Sequence, residues 1–545
     1  MLRTTAVIKS PAIRNEVLIT MTLTFFNWLL ALAPVLTVLG LMLGLRWGAG
    51  KAGVAGWIVA IVIAAVRFGA GWEMIALAQG KAVLLTLDVV YIIGAALLLF
   101  RVADEAGAVA VIAERLPQLT ADRVMQALIL GWVFVSFLQG VGGFGVPVAV
   151  VAPLLVGLGF DPVGAVVVAS IGHGWAVTFG SLASSFQALM GVTNVSGFLI
   201  SPPTAILLGI AGIVSGALVA YAAGGWKAAV RSLPAVLIVG VAMGVVQYLL
   251  STNGMWTLGT TGAGLAGLAL SVVVARLPIY RRNNDDPQET PEKPAAGSRS
   301  LLVSLAAYII VIVLIFSVNL IGPLNDFFGQ VTLSIDFPAM RTAYGWETPA
   351  GPGRNINVFG HAGAMLFYAS VIAYVIYRLA GYYKEGALKR ILQRTGKGIL
   401  TSGFGTLAMV AMATTMTHAG MTNLLAEGLS SGVAPRLYPV MSALIGALGA
   451  FMTGSNTNSN AVFGVLQQQT ATLLGLSVAV ILAIQTASAG IGSVLAPTKV
   501  IVGCSTVGLS GQEDRVLRRL LIYGVLLIAL VGVMGLAMVL LGAFP

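Results

Sequence analysis

Inside an apolar run long enough to cross a membrane, the chain reads Phe137-Leu138-Gln139-Gly140-Val141-Gly142-Gly143-Phe144-Gly145-Val146-Pro147. Four glycines and a proline break the helix there, and the freed N–H and C=O groups have no partner in lipid. Such a break survives at membrane depth where it lines a protein cavity, which in transporters is where substrate binds. The second half carries a comparable break, Phe451-Met452-Thr453-Gly454-Ser455-Asn456-Thr457-Asn458-Ser459-Asn460. One interruption in each half points to a carrier.

The chain is 58% hydrophobic and 9% charged, against about 25% charged residues in a soluble domain. It therefore reads as an all-α polytopic membrane protein of the cell (inner) membrane, solvated by the lipid bilayer. The net charge of +11 fits loop residues that obey the positive-inside rule and meet anionic headgroups, so no nucleic acid is expected. The single cysteine, Cys504, excludes an internal disulfide. Residues 1–16 are polar and basic, and the apolar run 17–45 is longer than a signal-peptide core, so no cleavable leader is expected.

A spanning helix takes about 20 apolar residues. The first half (1–275) offers spans near 17–45, 52–68, 83–100, 122–139, 162–179, 203–223, 228–250 and 258–275. The second half (301–545) offers 301–321, 357–380, 398–419, 437–453, 476–494 and 519–543. About 12–14 helices in two repeats are expected, with re-entrant or broken segments near the midplane (137–160 and 451–475). Residues 276–300 hold Arg281, Arg282, Asp285, Asp286, Pro287, Pro291 and Pro294 and read as a flexible linker. The basic stretch 379–397 reads as a cytoplasmic segment, an amphipathic surface helix being one form of it. The polar stretch 319–358 is too long for an ordinary connection and reads as a cover over one mouth of the pathway. Phe137-x-x-Gly140 matches Phe451-x-x-Gly454, and a second Gly/Ser-rich break follows each, at 170–181 and 488–497. Such repeats usually face each other in inverted orientation, which requires an odd number of spans between them.

Backbone N–H groups at the start of a half-helix favour an anion. Gln139, Gly140, Gly142, Gly143, Phe144 and Gly145 supply that kind of loop. Ser455, Asn456, Thr457, Asn458, Ser459 and Asn460 add hydroxyls and amides that can bind carboxylate oxygens or a small cation. The competing reading is close helix packing by the glycines and a self-satisfied Ser/Asn run. Ionisable residues in a membrane are functional candidates. His173 is either a proton carrier or a neutral ring bonded to a backbone carbonyl. Asp88 is either a proton site or the buried partner of a basic residue. His418, beside Thr414, Thr415 and Thr417, is a further proton candidate. Lys499 is either a counter-ion for a monocarboxylate or a lysine that snorkels to the interface. His361 is expected to be inert.

These residues resemble the bacterial lactate permease family. Residues 137–149 resemble its Phe-Leu-Glu-Gly-Ala-Ala-Gly-Phe-Gly-Ala-Pro-Val-Ala block, and 154–160 read Leu-Leu-Val-Gly-Leu-Gly-Phe as the family does. Residues 453–463 resemble its Thr-Gly-Ser-Asp-Thr-Ser-Ser-Asn-Ala-Leu-Phe block, and 504–509 form a third similar patch. The resemblance implies proton-driven uptake of lactate or glycolate. It also implies kinship with anion carriers that pair re-entrant hairpins with unwound helices, often as homodimers. Ser455-Asn456-Thr457 is similar to the signature at those hairpins. The chain departs from the family at Gln139 (glutamate there), Asn456 (aspartate), Ser493 in Gly492-Ser493 (lysine) and His173 (asparagine). Loss of two acids favours anions and opens the coupling ion to protons or sodium.

The expected function is a secondary carrier of small 2-hydroxymonocarboxylates such as lactate and glycolate, by proton symport through His173 or Asp88 with alternating access. A carrier of a dicarboxylate or sulfonate, or an anion channel, is the alternative. No zinc spacing, nucleophile elbow or Walker sequence occurs, so neither catalysis, nor a cofactor, nor ATP-driven transport is expected.

Overall fold

The computed structural model describes residues 21–143, 145–280 and 300–544. Phe144 and most of the expected linker lie outside the described residues. Among the described residues twelve helices are long and apolar enough to cross a membrane, and a thirteenth span forms if Ala306–Val318 and Gly322–Gly329, bent by 94°, count as one. The protein is thus an all-α polytopic membrane protein.

Two hairpins organise the molecule. The first runs down Arg123–Val141 and returns as Val146–Gly157. The second runs down Tyr438–Thr453 and returns as Asn456–Leu473. Their antiparallel register is written in side chains: Tyr438 Oη donates to Gln467 Oε1 (2.7 Å) and Ser459 Oγ to the Gly446 carbonyl (2.8 Å). At the tips, Gly145 (φ 87°) and Gly454 (φ 68°) adopt the left-handed backbone that glycine takes without strain. Ser455 then caps the return arm, its Oγ accepting from Asn458 N–H at 3.2 Å.

Each hairpin is followed by a broken crossing span. The first comprises Pro162–His173 and Ser184–Thr193 with an unwound stretch between. The second comprises Val478–Val494 and Pro497–Thr506. Each crossing span packs alongside the first arm of its own hairpin. Ser136 Oγ donates to the Gly172 carbonyl (3.2 Å) in one repeat, and Gly446 lies against the Gln485 carbonyl in the other. The return arms pack reciprocally. Gly464 of the second hairpin meets Leu189 and Val192 of the first crossing span, while Gly503 of the second crossing span meets Val148 of the first hairpin.

Between the hairpins the chain crosses by the first broken span, both arms of Gly197–Thr252 (which breaks at Gly225), Trp256–Val274, Ala306–Leu320, Ala362–Leu379 and Ala387–His418. That is an odd number of crossings, so the two hairpins enter from opposite faces and the repeats are inverted. On the face where the first hairpin enters lie Arg123, Arg231, Lys389, Arg390 and Arg519, with ion pairs Arg231–Asp122 and Arg390–Glu105 (2.7 Å). The positive-inside rule makes that face cytoplasmic.

One expectation about the connections changes, and the long polar stretch gains a defined form. The basic stretch after residue 379 is no separate surface helix: from Ala387 it forms the first turns of the spanning helix Ala387–His418, because no proline interrupts 387–418 and the helix continues through Gly396 and Gly398 into the apolar residues that follow. The long outer connection pairs Thr332 with Asn357, Asp336 with Pro352 and Met340 with Thr348 in nested antiparallel order. It is a single β-hairpin strap, tied down by Ala343 N–H to the Gly69 carbonyl (2.8 Å).

Candidate functional site

The breaks meet. The unwound stretch after His173 passes between both hairpin tips. At Gly180 an added Cβ would stand 2.8 Å from the Gln139 carbonyl oxygen, and at Gly143 it would collide with Ser181 Oγ. On the other side Thr178 Oγ1 donates to the Thr486 carbonyl (2.8 Å) and accepts from Asn456 Nδ2 (3.1 Å). Asn460 Nδ2 bonds the Ser185 carbonyl (2.9 Å) and Thr486 Oγ1 (2.8 Å), and Thr457 and Ser185 hydroxyls lie 3.2 Å apart. Residues from both repeats, some 270–310 positions apart in sequence, therefore share one polar cluster.

This cluster is unevenly satisfied. Asn456, Asn458 and Asn460 are buried, yet the Oδ1 of each has no partner, and neither does Gln139 Oε1. Buried polar atoms are normally paired, and these four amide oxygens near the two glycine tips are exceptions. Ser459 differs: its Oγ donates to Gly446 and accepts from Gln485 Nε2 (3.1 Å), so it locks the hairpin arm. The glycines divide likewise. Gly140 faces Thr261 (a Cβ would meet its Cα at 2.8 Å) and Gly142 faces Phe100, so both serve close packing, whereas Gly143 and Gly145 shape the tip.

Lys499 sits between the tips. It lies in the first turn of Pro497–Thr506, whose Thr498 touches Gly454 at the second tip and whose Val502 reaches Gly145 at the first. Four residues of helix separate those contacts, about 6 Å along the axis. Lys499 Nζ donates to Ser493 Oγ at 3.0 Å, and among the described residues no carboxylate lies within ion-pair distance of it. The helix starts at Val146, Asn456 and Pro497 all fall at these breaks and add positive partial charge. An ammonium and three helix N-termini thus lie together, an arrangement of full and partial positive charge.

His173 ends the first half of its span within electrostatic reach of Lys499. Its Nδ1 donates to the Ala169 carbonyl at 2.7 Å, while Nε2 is buried and unpartnered. The carbonyl-bonded geometry is present, and a free ring nitrogen remains on the other side.

Asp88 and His418 lie elsewhere. Asp88 accepts from Arg354 Nε (2.8 Å) of the outer strap and from His361 Nε2 (3.0 Å). His361 is not inert: it caps Ala362–Leu379 by accepting from Gly363 N–H at its Nδ1 (3.2 Å), which leaves the proton on Nε2 to face Asp88. Asp88 is thus the buried partner of a basic residue. His418 ends the helix Ala387–His418 on the outer face, Nδ1 donating to the Thr414 carbonyl at 2.8 Å. Thr178, Ser185 and Thr486 share the polar cluster without having been singled out in the sequence; only Thr178 lies within one of the second breaks, and Ser185 and Thr486 carried no signal of their own.

Comparison with known proteins gives a consistent picture. A family model described as L-lactate permease matches residues 27–542. The L-lactate permease of Bacillus subtilis (strain 168) is 26% identical over 536 residues, covering 92% of this chain and 94% of its own. The glycolate permease GlcA of Escherichia coli (strain K12) is 24% identical over 538 residues, covering 93% and 94%. Among solved structures, the Alcanivorax borkumensis YdaH transporter aligns at 14% identity over 86% of this chain and 88% of its own, with a TM-score of 0.45.

Proposed function

The chain belongs to the L-lactate permease family, and on that premise we propose that it carries lactate, glycolate or a close 2-hydroxymonocarboxylate, coupled to protons, by alternating access. The observation that carries this reading is Lys499, an ammonium without an acidic partner lodged between two glycine hairpin tips. The substrate carboxylate binds Lys499 Nζ and the N–H groups at the helix starts. Its 2-hydroxyl donates to a free amide oxygen of Asn456 or Asn458. Ser493 orients the ammonium, so Lys499 returns the positive charge to the residue where the family resemblance places a lysine.

His173 Nε2 is the group on hand to take the coupled proton, beside the anion and away from any carboxylate bond. Reciprocal packing of each return arm on the other repeat supplies two equivalent arrangements, and exchange between them exposes the site to each face in turn.

A second reading rests on Gln139 and Asn456, neutral amides with free oxygens at the tips. Without carboxylates there, a dicarboxylate or sulfonate meets less repulsion than it would beside two acids. The test is uptake of labelled lactate into proteoliposomes under a pH gradient and then a sodium gradient, with glycolate, succinate and a small sulfonate as competitors. Acid outside driving lactate uptake, with glycolate the stronger competitor, supports the first reading. No lactate uptake under either gradient sinks it, and strong competition by succinate or sulfonate selects the second.

A further inference from the structure

A cavity of about 460 Å³ opens beneath the outer strap, between Lys81, the end of the first crossing span, the last turn before His418, and the return arm of the second hairpin. It lies on the face opposite the basic loops. At its base it reaches Ala461 and Val465, so along the helix it stops about one turn short of Asn458. Three cationic or potentially cationic side chains border it, Lys81, Arg354 and His418, and no carboxylate does among the described residues. Arg354 is committed to Asp88. Among the described residues Lys81 has no acidic partner; its Nζ stands 5.5 Å from the centroid of the Phe337 ring of the strap.

His418 supplies the specific element. It is 8% exposed, and its Nδ1 proton is spent on the Thr414 carbonyl, which can only accept. In the neutral ring Nε2 is then an acceptor, and it is buried without a partner in a residue that lines this cavity. It lies within electrostatic reach of Lys81. An ammonium and an unpartnered imidazole acceptor on residues lining one cavity match a carboxylate with a hydroxyl on the neighbouring carbon.

We propose that this outer cavity is a second binding site for small 2-hydroxycarboxylates, in which Lys81 holds the carboxylate and His418 Nε2 accepts the hydroxyl proton. It receives the substrate from outside before the hairpin tips do. The ligand class rests on the transport reading above, whereas the site itself does not.

The experiment is acylation of the purified protein with a water-soluble amine-reactive ester, with modification of Lys81 read by peptide mass spectrometry. Lactate, propionate and chloride are titrated separately. Lactate slows Lys81 modification saturably, at a half-effect concentration roughly tenfold below that of propionate, about one hydrogen bond. His418→Leu removes the difference between lactate and propionate, and His418→Gln retains part of it through the side-chain carbonyl. Lys499→Gln leaves the protection of Lys81 intact. Protection no better than that of chloride overturns the proposal, and so does protection lost in Lys499→Gln, which would trace the effect to the hairpin site. Lactate flux without protection defeats this site alone, and protection without lactate flux defeats the transport reading alone.

Discussion

Replacing Lys499 by glutamine removes one charge and keeps a donor in reach of Ser493. The ammonium is bonded to Ser493 Oγ at 3.0 Å and has no carboxylate within ion-pair distance among the described residues. On the proposed reading, bound substrate supplies its counter-charge. Two unit charges about 4 Å apart attract by roughly 4 kcal/mol at an effective dielectric of 20. Dehydration of both groups offsets much of that, and a charge-assisted hydrogen bond retains about 1.5–3 kcal/mol. At 1.4 kcal/mol per tenfold, Lys499→Gln raises the lactate KM by roughly ten- to a hundredfold. The assay is lactate counterflow in proteoliposomes at equal pH on both sides, which isolates binding and exchange from the driving gradient. Lys499→Arg, which keeps the charge but not the compact head, falls between the two. A folded Lys499→Gln protein whose KM stays within about twofold of the parent would refute the counter-ion role.

Three other perturbations separate the coupling, the polar cluster and the strap. Thr178→Val removes both the acceptor for Asn456 Nδ2 and the donor to the Thr486 carbonyl, so KM in the same counterflow assay rises roughly five- to tenfold; an unchanged KM would mean that Asn456 is held without Thr178. His173→Asn abolishes uptake driven by a pH gradient and preserves lactate exchange, whereas equal loss of both would leave His173 a structural role only. Asp88→Asn leaves Arg354 unpaired between the outer strap and its helix and lowers stability by about 3 kcal/mol. Thermal unfolding in detergent reads this, with partial recovery in the double variant Asp88→Asn/Arg354→Gln; an unchanged Tm for the single variant would remove the ion pair as a fastening of the strap.

What the sequence disclosed was mostly local. The glycine-rich run at 137–147 and the Ser/Asn run at 455–460 announced the two tips, because broken backbone in an apolar segment is tolerated only where protein or a cavity surrounds it. Inversion of the repeats was not legible. It turns on the parity of the spans between the two runs, and although 203–223 and 228–250 already read as two spans, short and broken segments such as 162–179 and 301–321 left that count open. Thr178 and Asn456 belong to one hydrogen bond across 278 positions, which no local pattern records. The same holds for Lys499: six residues from Ser493, it would face elsewhere on an unbroken helix, and only the break at Leu495–Ala496 brings its ammonium back. Asp88 left two readings open, and its partner Arg354 sits in a strap whose paired strands are two residues each, too short to show a strand pattern.

The most direct measurement is a structure of the protein determined with lactate bound. Density is expected between the two hairpin tips, with the lactate carboxylate in hydrogen-bond contact with Lys499 Nζ and its hydroxyl directed at Asn456 or Asn458. Lactate bound out of reach of Lys499, with the space between the tips left to water, would contradict the proposed site.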